Sequence, residues 1–266
     1  MLRLYAPRPH ERAAQWVQLI WEWDGYRSPA PTERILPHGV VEIAWNLSTP
    51  HRFNPDLDTT RIAHAALIGP RDAPYRICTS ATSHLFGILF RPSAAGRFLQ
   101  VGLHELFGSI SPLNLFNRGA QLEARIGQAR CPAERRQAAL DFFEALPLTE
   151  DAHEASVLLS TWATEEGRAQ SVKTLRCALG VSAPTFVHRV RAQLGLRPAQ
   201  LRQVLMFREA VTLLARRTTP RTAVAHAVGY CDQAHLNRAF RRHAGLTPTQ
   251  FRPVMPDHPF NLPEPA

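Results

Sequence analysis

Residues 228–252 read VGYCDQAHLNRAFRRHAGLTPTQFR and contain the start and stop signals of a short helix. Gly229 closes a preceding helical segment, and the carboxylate of Asp232 is suited to cap the next one. Gly245 ends that helix before Thr247-Pro248, a pair that is typical of another helix start. The spacing of these signals predicts a helix of about three turns that is bounded by a turn on each side.

The predicted helix has two chemically different faces. Leu236 and Phe240 are four residues apart, so they share a side that can be buried. Gln233, Asn237 and Arg241 share another side, which carries two carboxamides and a guanidinium. A carboxamide can bind adenine N6 and N7 together and a guanidinium can bind guanine O6 and N7, so this side has the chemistry that reads bases in the major groove of DNA. A basic helix that faces only solvent is the alternative.

The same stretch resembles the second helix-turn-helix of the AraC/XylS family of transcription regulators. The family signature is G-[FY]-x-[DS]-Q-x-[HY]-[FL]-x-R-x-F-[RK]-x-x-x-G-x-[TS]-P-x-x-[FY]-R. Its positions are occupied here by Gly229, Tyr230, Asp232, Gln233, His235, Leu236, Arg238, Phe240, Arg241, Gly245, Thr247, Pro248, Phe251 and Arg252. The resemblance extends from about residue 154 to residue 252, and it implies a DNA-binding module with two helix-turn-helix units.

A first copy of this plan precedes the quoted stretch. Ser171 is suited to cap a short helix, Gly180 turns the chain, and Ala183–Leu194 is predicted to be the next helix. Gly180 lies 49 residues before its counterpart Gly229. The helix predicted between the copies, Ala199–Arg216, would span roughly 27 Å at about 1.5 Å per residue. That length suits two helices that enter successive major-groove faces, roughly 34 Å apart on one side of a duplex.

The resemblance also assigns residues to DNA contacts. The base-facing positions fall on Gln233, Ala234, Asn237 and Arg238 in the second unit and on Pro184, Thr185, Val187 and His188 in the first. We assign phosphate contacts to Arg189, Arg191, Arg241 and Arg242, because arginines near a base-reading surface commonly bind the DNA backbone. Typical members of the family offer Arg or Gln in the first unit, where this sequence has proline, valine and histidine. The second unit is therefore expected to supply most of the base readout.

Composition favours a two-domain protein with a polyanionic partner. The chain has 266 residues, of which 45% are hydrophobic and 20% charged, as is typical of globular domains. Residues 161–266 hold 15 Lys and Arg against 6 acidic residues, so they carry the whole net charge of +9, and this concentration favours nucleic acid. We expect domains at 1–150 and 151–254. A disordered tail is expected at 255–266, because four prolines follow Pro253.

The expected compartment is the cytoplasm. No apolar run approaches the roughly 18 residues of a membrane span. The N-terminal segment MLRLYAPRPHERAAQW lacks the apolar core and cleavage site of a signal peptide. The cysteines contain no C-x-x-C pair and are expected to be reduced thiols; they are Cys78, Cys131, Cys177 and Cys231. We expect no contact with a membrane.

Period-two patterns predict a β-rich N-terminal half. Strands are expected at Val40–Leu47, which would be half-buried, and at Ala65–Ile68, Tyr75–Cys78 and His84–Phe90. Helices are expected at Glu11–Glu22, where Trp21 and Trp23 leave a strand open as the alternative, and at Ser93–Gln100, Gln121–Ile126, Ala133–Ala145 and Asp151–Glu166. The predicted fold class is α+β with two domains: a small cupin-like β-barrel or sandwich with helices, followed by an all-α tandem helix-turn-helix domain.

This N-terminal half resembles the amino-terminal domain of a subgroup of AraC-like regulators. Three motifs of that subgroup occur in order, PHGVVEI at Pro37–Ile43, the Gly69-Pro70 turn and GILFRPSAA at Gly87–Ala95. The resemblance implies a regulatory domain that senses an effector or pairs with a second copy of itself. It does not identify an effector.

Catalytic and metal chemistry have little support in the N-terminal half. Cupin metal centres often begin with H-x-H, a pattern that this sequence lacks. The remaining candidates are more typical of structural histidines; they are His38 with Glu42, and His64 or His84. No G-x-S-x-G segment marks a nucleophilic serine. We therefore predict that the protein is not an enzyme and has no catalytic residues, metal or cofactor.

The resemblance implies a transcription regulator whose partner is double-stranded DNA; an activator is expected, and a repressor remains open. RNA polymerase and an unidentified small-molecule effector are further candidate partners. Monomer and homodimer both remain open. Two alternative functions also remain open, namely a DNA-repair-type regulator with an enzymatic N-terminal half and an interaction module that binds DNA without sequence preference.

Overall fold

The chain folds as a sheet-rich N-terminal domain followed by a helical domain, which confirms the predicted α+β class. The structure is a computed structural model that describes residues 1–53, 61–78, 82–92, 94–145, 157–159, 161–162, 167, 170–216, 220–255 and 258–264. Its strands form two sheets that pack on one another, so the sandwich form of the prediction is the one observed.

The two sheets are antiparallel throughout the pairs described. Their strands are β1 (Leu2–Tyr5), β2 (Val17–Tyr26), β3 (Thr32–Ile35), β4 (Glu42–Asn46), β5 (His51–Phe53), β6 (Arg61–Ala63), β7 (Ala65–Ile68), β8 (Tyr75–Cys78), β9 (Ser83–Phe90), β10 (Ile110–Ser111) and β11 (Asn261–Glu264). The first sheet has the order β1-β2-β9-β4-β7-β10, and the second has the order β11-β3-β8-β5-β6. The strands predicted around residues 65–68, 75–78 and 84–90 are thus confirmed.

The first sheet is covered on both faces. On one face Ile43 and Trp45 of β4 join the hydrophobic cluster that contains Phe142 and Phe143. On the other face Ala44 packs with residues of the second sheet. Every residue of β4 is buried, so the prediction of a half-buried strand was wrong. The sequence pattern could not reveal that a second layer covers the polar side.

Of the two alternatives for residues 11–22, the helix was wrong, and the strand suggested by Trp21 and Trp23 is confirmed. Only Arg12–Gln15 form a single turn of 3-10 helix, and β2 begins at Val17. Trp21 and Trp23 pack toward the second sheet, while Ile20 lies in the cluster on the other face. Pairing with β1 and β9 outweighs the helix-like spacing, because strand formation depends on neighbours that are distant in sequence.

The helical elements follow the predicted order closely. They are α1 (Gly119–Gln128), α2 (Pro132–Glu144), α3 (Val172–Ala178), α4 (Ala183–Leu194), α5 (Pro198–Arg216), α6 (Arg221–Ala227) and α7 (Gln233–Ala244). Within the part of the chain that the structure describes, no helix combines the length and apolar character needed to cross a bilayer.

Three helix predictions have other outcomes. In the segment predicted as a helix at Ser93–Gln100, the described residues 94–100 contain a 3-10 turn at Ala95–Phe98 and no α-helix. The segment Asp151–Glu166 lies mostly outside the described residues, although 157–159 and 161–162 are helical and bury Leu158 and Trp162. The helix start predicted at Thr247-Pro248 was wrong. Gln250 Oε1 accepts hydrogen bonds from the Thr247 amide and hydroxyl, both at 2.9 Å, and this closes a turn.

Part of the tail expected to be disordered at 255–266 returns to the N-terminal domain, namely residues 258–264. The strand β11 pairs with β3, with Asn261 opposite Ile35 and Glu264 opposite Thr32. Proline is compatible with this strand because β11 is at the edge of its sheet, where a missing amide donor is tolerated. The expectation of disorder was therefore wrong for residues 258–264, since composition alone does not register a sheet edge that offers unpaired backbone groups.

The two domains are in close contact. Leu36 and Leu262 lie in one hydrophobic cluster with Phe207 and Phe240 of the helical domain. Gly39, with φ of +72°, is approached so closely by α5 that a Cβ there would be 2.8 Å from Cγ1 of Val204. The sandwich and the helical domain therefore share a packed core at this junction.

Gly87 supplies a stability test of the sandwich. A Cβ added at Gly87 would lie 2.2 Å from Cε2 of Trp21, whose indole is held by a hydrogen bond to Glu42. We expect Gly87→Ala to lower the free energy of unfolding by about 1–3 kcal/mol through overpacking. Gly127 of α1 has open space around its Cα, so Gly127→Ala should raise it by about 0.5–1 kcal/mol. Urea denaturation measures both, and equal effects of the two substitutions would contradict this packing.

Two buried carboxyl groups make the sandwich sensitive to pH. Glu33 is 0% exposed and accepts hydrogen bonds from the Tyr26 hydroxyl and, at 3.1 Å, from Asn261 Nδ2. Glu42 is 6% exposed and accepts from Trp21 Nε1 at 2.9 Å. Burial raises the pKa of each carboxyl to about 7, although these hydrogen bonds from Asn261 and Trp21 oppose the rise. Both groups are therefore protonated in the folded chain at pH 5.

Replacing both carboxyls should flatten the pH dependence of stability. The raised pKa values stabilise the fold below the ordinary value of 4.5, and that contribution disappears as pH rises through about 7. From pH 5 to pH 8 the wild type should lose on the order of 1–3 kcal/mol for each of the two carboxyls relative to Glu33→Gln/Glu42→Gln, as urea denaturation would record. The exposed substitution Glu123→Gln should follow the wild type, and parallel profiles for all three proteins would refute the account.

Candidate nucleic-acid interface

The ends of α7 are fixed by the residues that the sequence identified. Asp232 Oδ1 accepts a hydrogen bond from the His235 amide at 2.6 Å and so caps the first turn. Gly245 ends the helix with φ of +70°, a left-handed conformation that favours glycine. The caps fix the register of every side chain between them, so the predicted division into two faces can be tested directly.

The apolar side of α7 is buried. Leu236 is 1% exposed and Phe240 is 0% exposed. The ring of Phe240 lies 5.0 Å from that of Phe207 on α5 and 5.9 Å from that of Phe251. Burial of two large side chains stabilises this orientation of the helix by several kcal/mol, at about 1.5–3 kcal/mol per side chain.

The opposite side of α7 faces solvent. Gln233, Ala234 and Arg238 are exposed and Asn237 is half-buried, and we call these four residues the α7 surface. The carboxamides of Gln233 and Asn237 are one helical turn apart on this side. The α7 surface is therefore presented outward, as the base-reading prediction requires.

The first unit repeats this arrangement with different chemistry. Ser182 caps α4 by accepting from the Thr185 amide at 3.3 Å, and the apolar side of α4 is buried through Phe186, Val190 and Leu194. The positions predicted to face bases are all exposed; they are Pro184, Thr185, Val187 and His188, which we call the α4 surface. Val187 is 37% exposed, an unusual degree for a large apolar side chain in this chain. The α4 surface is accessible but has few hydrogen-bond donors.

One helix joins the two units. Leu201 of α5 packs in the cluster that contains Phe186 and Val190 of the first unit. Phe207 and Val211, further along α5, pack in the cluster of the second unit. At about 1.5 Å per residue, the 19 residues of α5 span about 28 Å. The sequence-predicted connector is thus confirmed in its bounds to within one residue.

The arginines assigned to phosphate do not all have the same surroundings. Arg189, Arg191 and Arg241 are exposed on their helices. Arg242 is exposed as well, but its Nη2 lies 3.1 Å from Oδ2 of Asp72 in the N-terminal domain. In this structure a carboxylate therefore occupies the place at which Arg242 was predicted to meet a phosphate.

Asp72 is the residue at this interface that sequence reasoning missed. Its backbone carbonyl accepts a hydrogen bond from Nδ1 of His243 at 2.6 Å, and its Oδ2 accepts from Nε2 of Gln200 at 3.2 Å. His243 is 1% exposed, and burial lowers its pKa, so the ring is neutral with its proton on Nδ1. Asp72 lies in the turn 69–74, where no pattern indicated a contact with the helical domain.

The histidines considered as metal ligands have other partners. His84 Nε2 lies 2.6 Å from Glu22 Oε1, and His64 Nδ1 lies 3.1 Å from the Asn46 carbonyl. His38 packs its ring against Phe260. Among the residues that the structure describes, no three His, Cys, Asp or Glu side chains are placed to hold a metal ion together.

Two family models match separate parts of the chain. A helix-turn-helix domain model matches residues 177–253, which include the α4 and α7 surfaces. A domain of unknown function (DUF6597) matches residues 5–112, which include most of the N-terminal strands. The division between these matches agrees with the sheet-rich and helical domains of the structure.

A segment of the chain is similar to a regulator from Escherichia coli (strain K12). Over 86 residues it is 29% identical to the protein described as RCS-specific HTH-type transcriptional activator RclR. The match covers 32% of this chain and 30% of that protein. It therefore spans less than a third of the relative's length.

Solved structures of ToxT from Vibrio cholerae have a similar fold. A structure of an apo ToxT variant has a TM-score of 0.51 at 9% identity, and the match covers 88% of this chain and 96% of that chain. A second ToxT structure also has a TM-score of 0.51, at 8% identity, over 94% of this chain and 97% of that chain. Identity this low establishes the two-domain fold alone.

Proposed function

We propose that the chain is a transcription regulator of the AraC type that binds specific sequences of double-stranded DNA, and the helix-turn-helix model that matches residues 177–253 and the similarity to a transcriptional activator support this proposal. The observation that carries this proposal is the outward α7 surface, whose carboxamides and guanidinium stand on a helix anchored by Leu236 and Phe240. Carboxamide and guanidinium groups are the side chains best suited to read adenine and guanine in the major groove.

Charge supports DNA as the partner. The whole net charge of +9 lies in residues 161–266, which contain both helix-turn-helix units. Positive charge of this kind attracts the DNA backbone and brings the two surfaces to the duplex before bases are read. Arg189, Arg191 and Arg241 are the exposed arginines that we assign to phosphate contacts.

The two units have unequal roles in this proposal. The α7 surface supplies most of the direct readout through Gln233, Asn237 and Arg238. The α4 surface contributes apolar contact from Thr185 and Val187 with thymine methyl groups, and His188 donates to a purine N7. The helix α5 holds the units for successive major-groove faces, roughly 34 Å apart on the duplex.

The same proposal gives the chain a cytoplasmic location and no enzymatic role. RNA polymerase is the expected protein partner of an activator. The N-terminal sandwich would serve as the regulatory domain, either by binding an effector or by pairing with a second copy.

Asn237→Ala tests base readout. The variant should lose preference at one base pair of a duplex selected by the wild type, a cost of about 1–3 kcal/mol, because a bidentate carboxamide contact is removed. Selection of bound fragments from a random pool measures the preference. Asn114→Ala, an exposed change in the N-terminal domain, should leave it intact. If the wild type itself shows no preference, the protein is a non-specific DNA binder and the proposal fails.

Arg241→Ala tests phosphate contact. Affinity should fall for all duplexes alike, and the slope of log K against log salt should become shallower by about 0.9, the contribution of one phosphate. Titrations at several salt concentrations give the slope. Arg130→Ala removes the same charge from the surface of the N-terminal domain and should leave the slope unchanged. A slope that is equally unchanged in Arg241→Ala would exclude this phosphate contact.

A further inference from the structure

The N-terminal domain contacts the C-terminal end of α7 through several hydrogen bonds. Oδ2 of Asp72 accepts a hydrogen bond from Nη2 of Arg242 at 3.1 Å, and the Asp72 backbone carbonyl accepts one from Nδ1 of His243 at 2.6 Å. Arg34 of β3 donates from Nη1 to the Ala244 carbonyl at 2.5 Å, where a cation is favoured by the carbonyl groups at the end of a helix. These contacts join the N-terminal domain to α7, the helix that carries most of the predicted base-reading residues.

These contacts of Asp72 and Arg34 lie beside the α7 surface. Ala234, Arg238 and Arg242 are spaced four residues apart, so they form one row along the helix. The first two belong to the α7 surface, and the third is paired with Asp72. A duplex that lies along this row would bring its phosphates toward the carboxylate of Asp72, and like charges repel. The docked arrangement therefore opposes DNA at one end of the surface.

The C-terminal strand β11 also stabilises this contact between the N-terminal domain and α7. Leu262 of β11 is 3% exposed and shares a hydrophobic cluster with Leu36, the residue after β3, and Phe240 of α7. Glu264 pairs with Arg34, the residue that caps α7, and its Oε2 lies 2.8 Å from Nε of Arg76 on β8. The strand β11 is thus hydrogen-bonded to β3 along its length, while the side chain of Leu262 packs on the helical domain.

We propose that residues 258–264 are a latch that holds α7 against Asp72 in an autoinhibited arrangement, and that productive DNA binding requires the latch to open. This inference rests on the proposed DNA-binding function. Opening separates β11 from β3, releases the Ala244 carbonyl from Arg34 and frees Arg242 for a phosphate. If only a fraction of molecules is open, the apparent dissociation constant for DNA is the intrinsic one divided by that fraction.

A disulfide across β3 and β11 tests the latch. Thr32 and Glu264 are opposite residues of the antiparallel pair, and the Cα separation of such pairs, about 4.5–5.5 Å, is within the disulfide range. The chain would carry Thr32→Cys and Glu264→Cys together with Cys78→Ser, because Cys78 is the other neighbour of Thr32 in the sheet. We expect the oxidised protein to bind a selected duplex at least about tenfold more weakly than the same protein after reduction.

The matched control carries Glu264→Cys and Cys78→Ser without the second sulfur. Its affinity should not respond to oxidation. The wild type, measured on the same duplex, reports whether the chain binds DNA at all. Failure of the wild type to bind would overturn the proposed function and the latch with it. If the wild type binds and the oxidised and reduced double-cysteine proteins bind equally, or the oxidised form binds more tightly, the latch alone is overturned.

A second variant tests the contact between Asp72 and Arg242 without altering the tail. Asp72→Asn keeps the carbonyl that His243 uses but removes the charge that holds Arg242. Affinity for the duplex should increase about threefold, as loss of a partly exposed ion pair allows. Glu123→Gln removes one negative charge from the surface of α1 and should leave affinity within measurement error of the wild type. Equal affinity of Asp72→Asn and Glu123→Gln would contradict the role of Asp72.

Discussion

A single helix, α5, has to fill two hydrophobic cores at once. Leu201 near its start belongs to the core that orients α4, and Phe207 and Val211 belong to the core that orients α7. Neither unit can turn about its axis without opening a cavity against α5, at a cost of several kcal/mol for a large buried side chain. The directions of the α4 and α7 surfaces are therefore set by apolar packing that takes no part in DNA recognition.

The same core extends into the N-terminal domain. Leu36 and Leu262 pack on α5 and α7, so the apolar contacts that anchor the second unit also anchor the sandwich. Polar contacts also fix the orientation of the two domains at this junction, because Asp72 bonds to His243 and Arg34 bonds to Ala244 at the end of α7. An N-terminal domain attached in this way can influence α7 by mechanical contact as well as by charge, since both act on the last turn of that helix.

Local signals allowed the helical domain to be predicted from the sequence. Asp232 and Gly245 mark the ends of α7 by chemistry within a few residues, and Leu236 with Phe240 marks the buried side. Contacts between distant segments were not predictable in this way. Residues 11–22 have helix-like spacing, but from Val17 onward they pair as a strand, and Asn261–Glu264 form a strand only because β3 offers an edge. Asp72 likewise acquires its role from the docking of two domains.

We infer that α5 presents both surfaces to one side of a duplex. Hydroxyl-radical footprinting of the wild type on a selected duplex tests it directly. The account predicts two protected patches on the same side of the helix, with centres about one helical turn, roughly 10 base pairs, apart. A single patch, or two patches on opposite sides of the duplex, would contradict it.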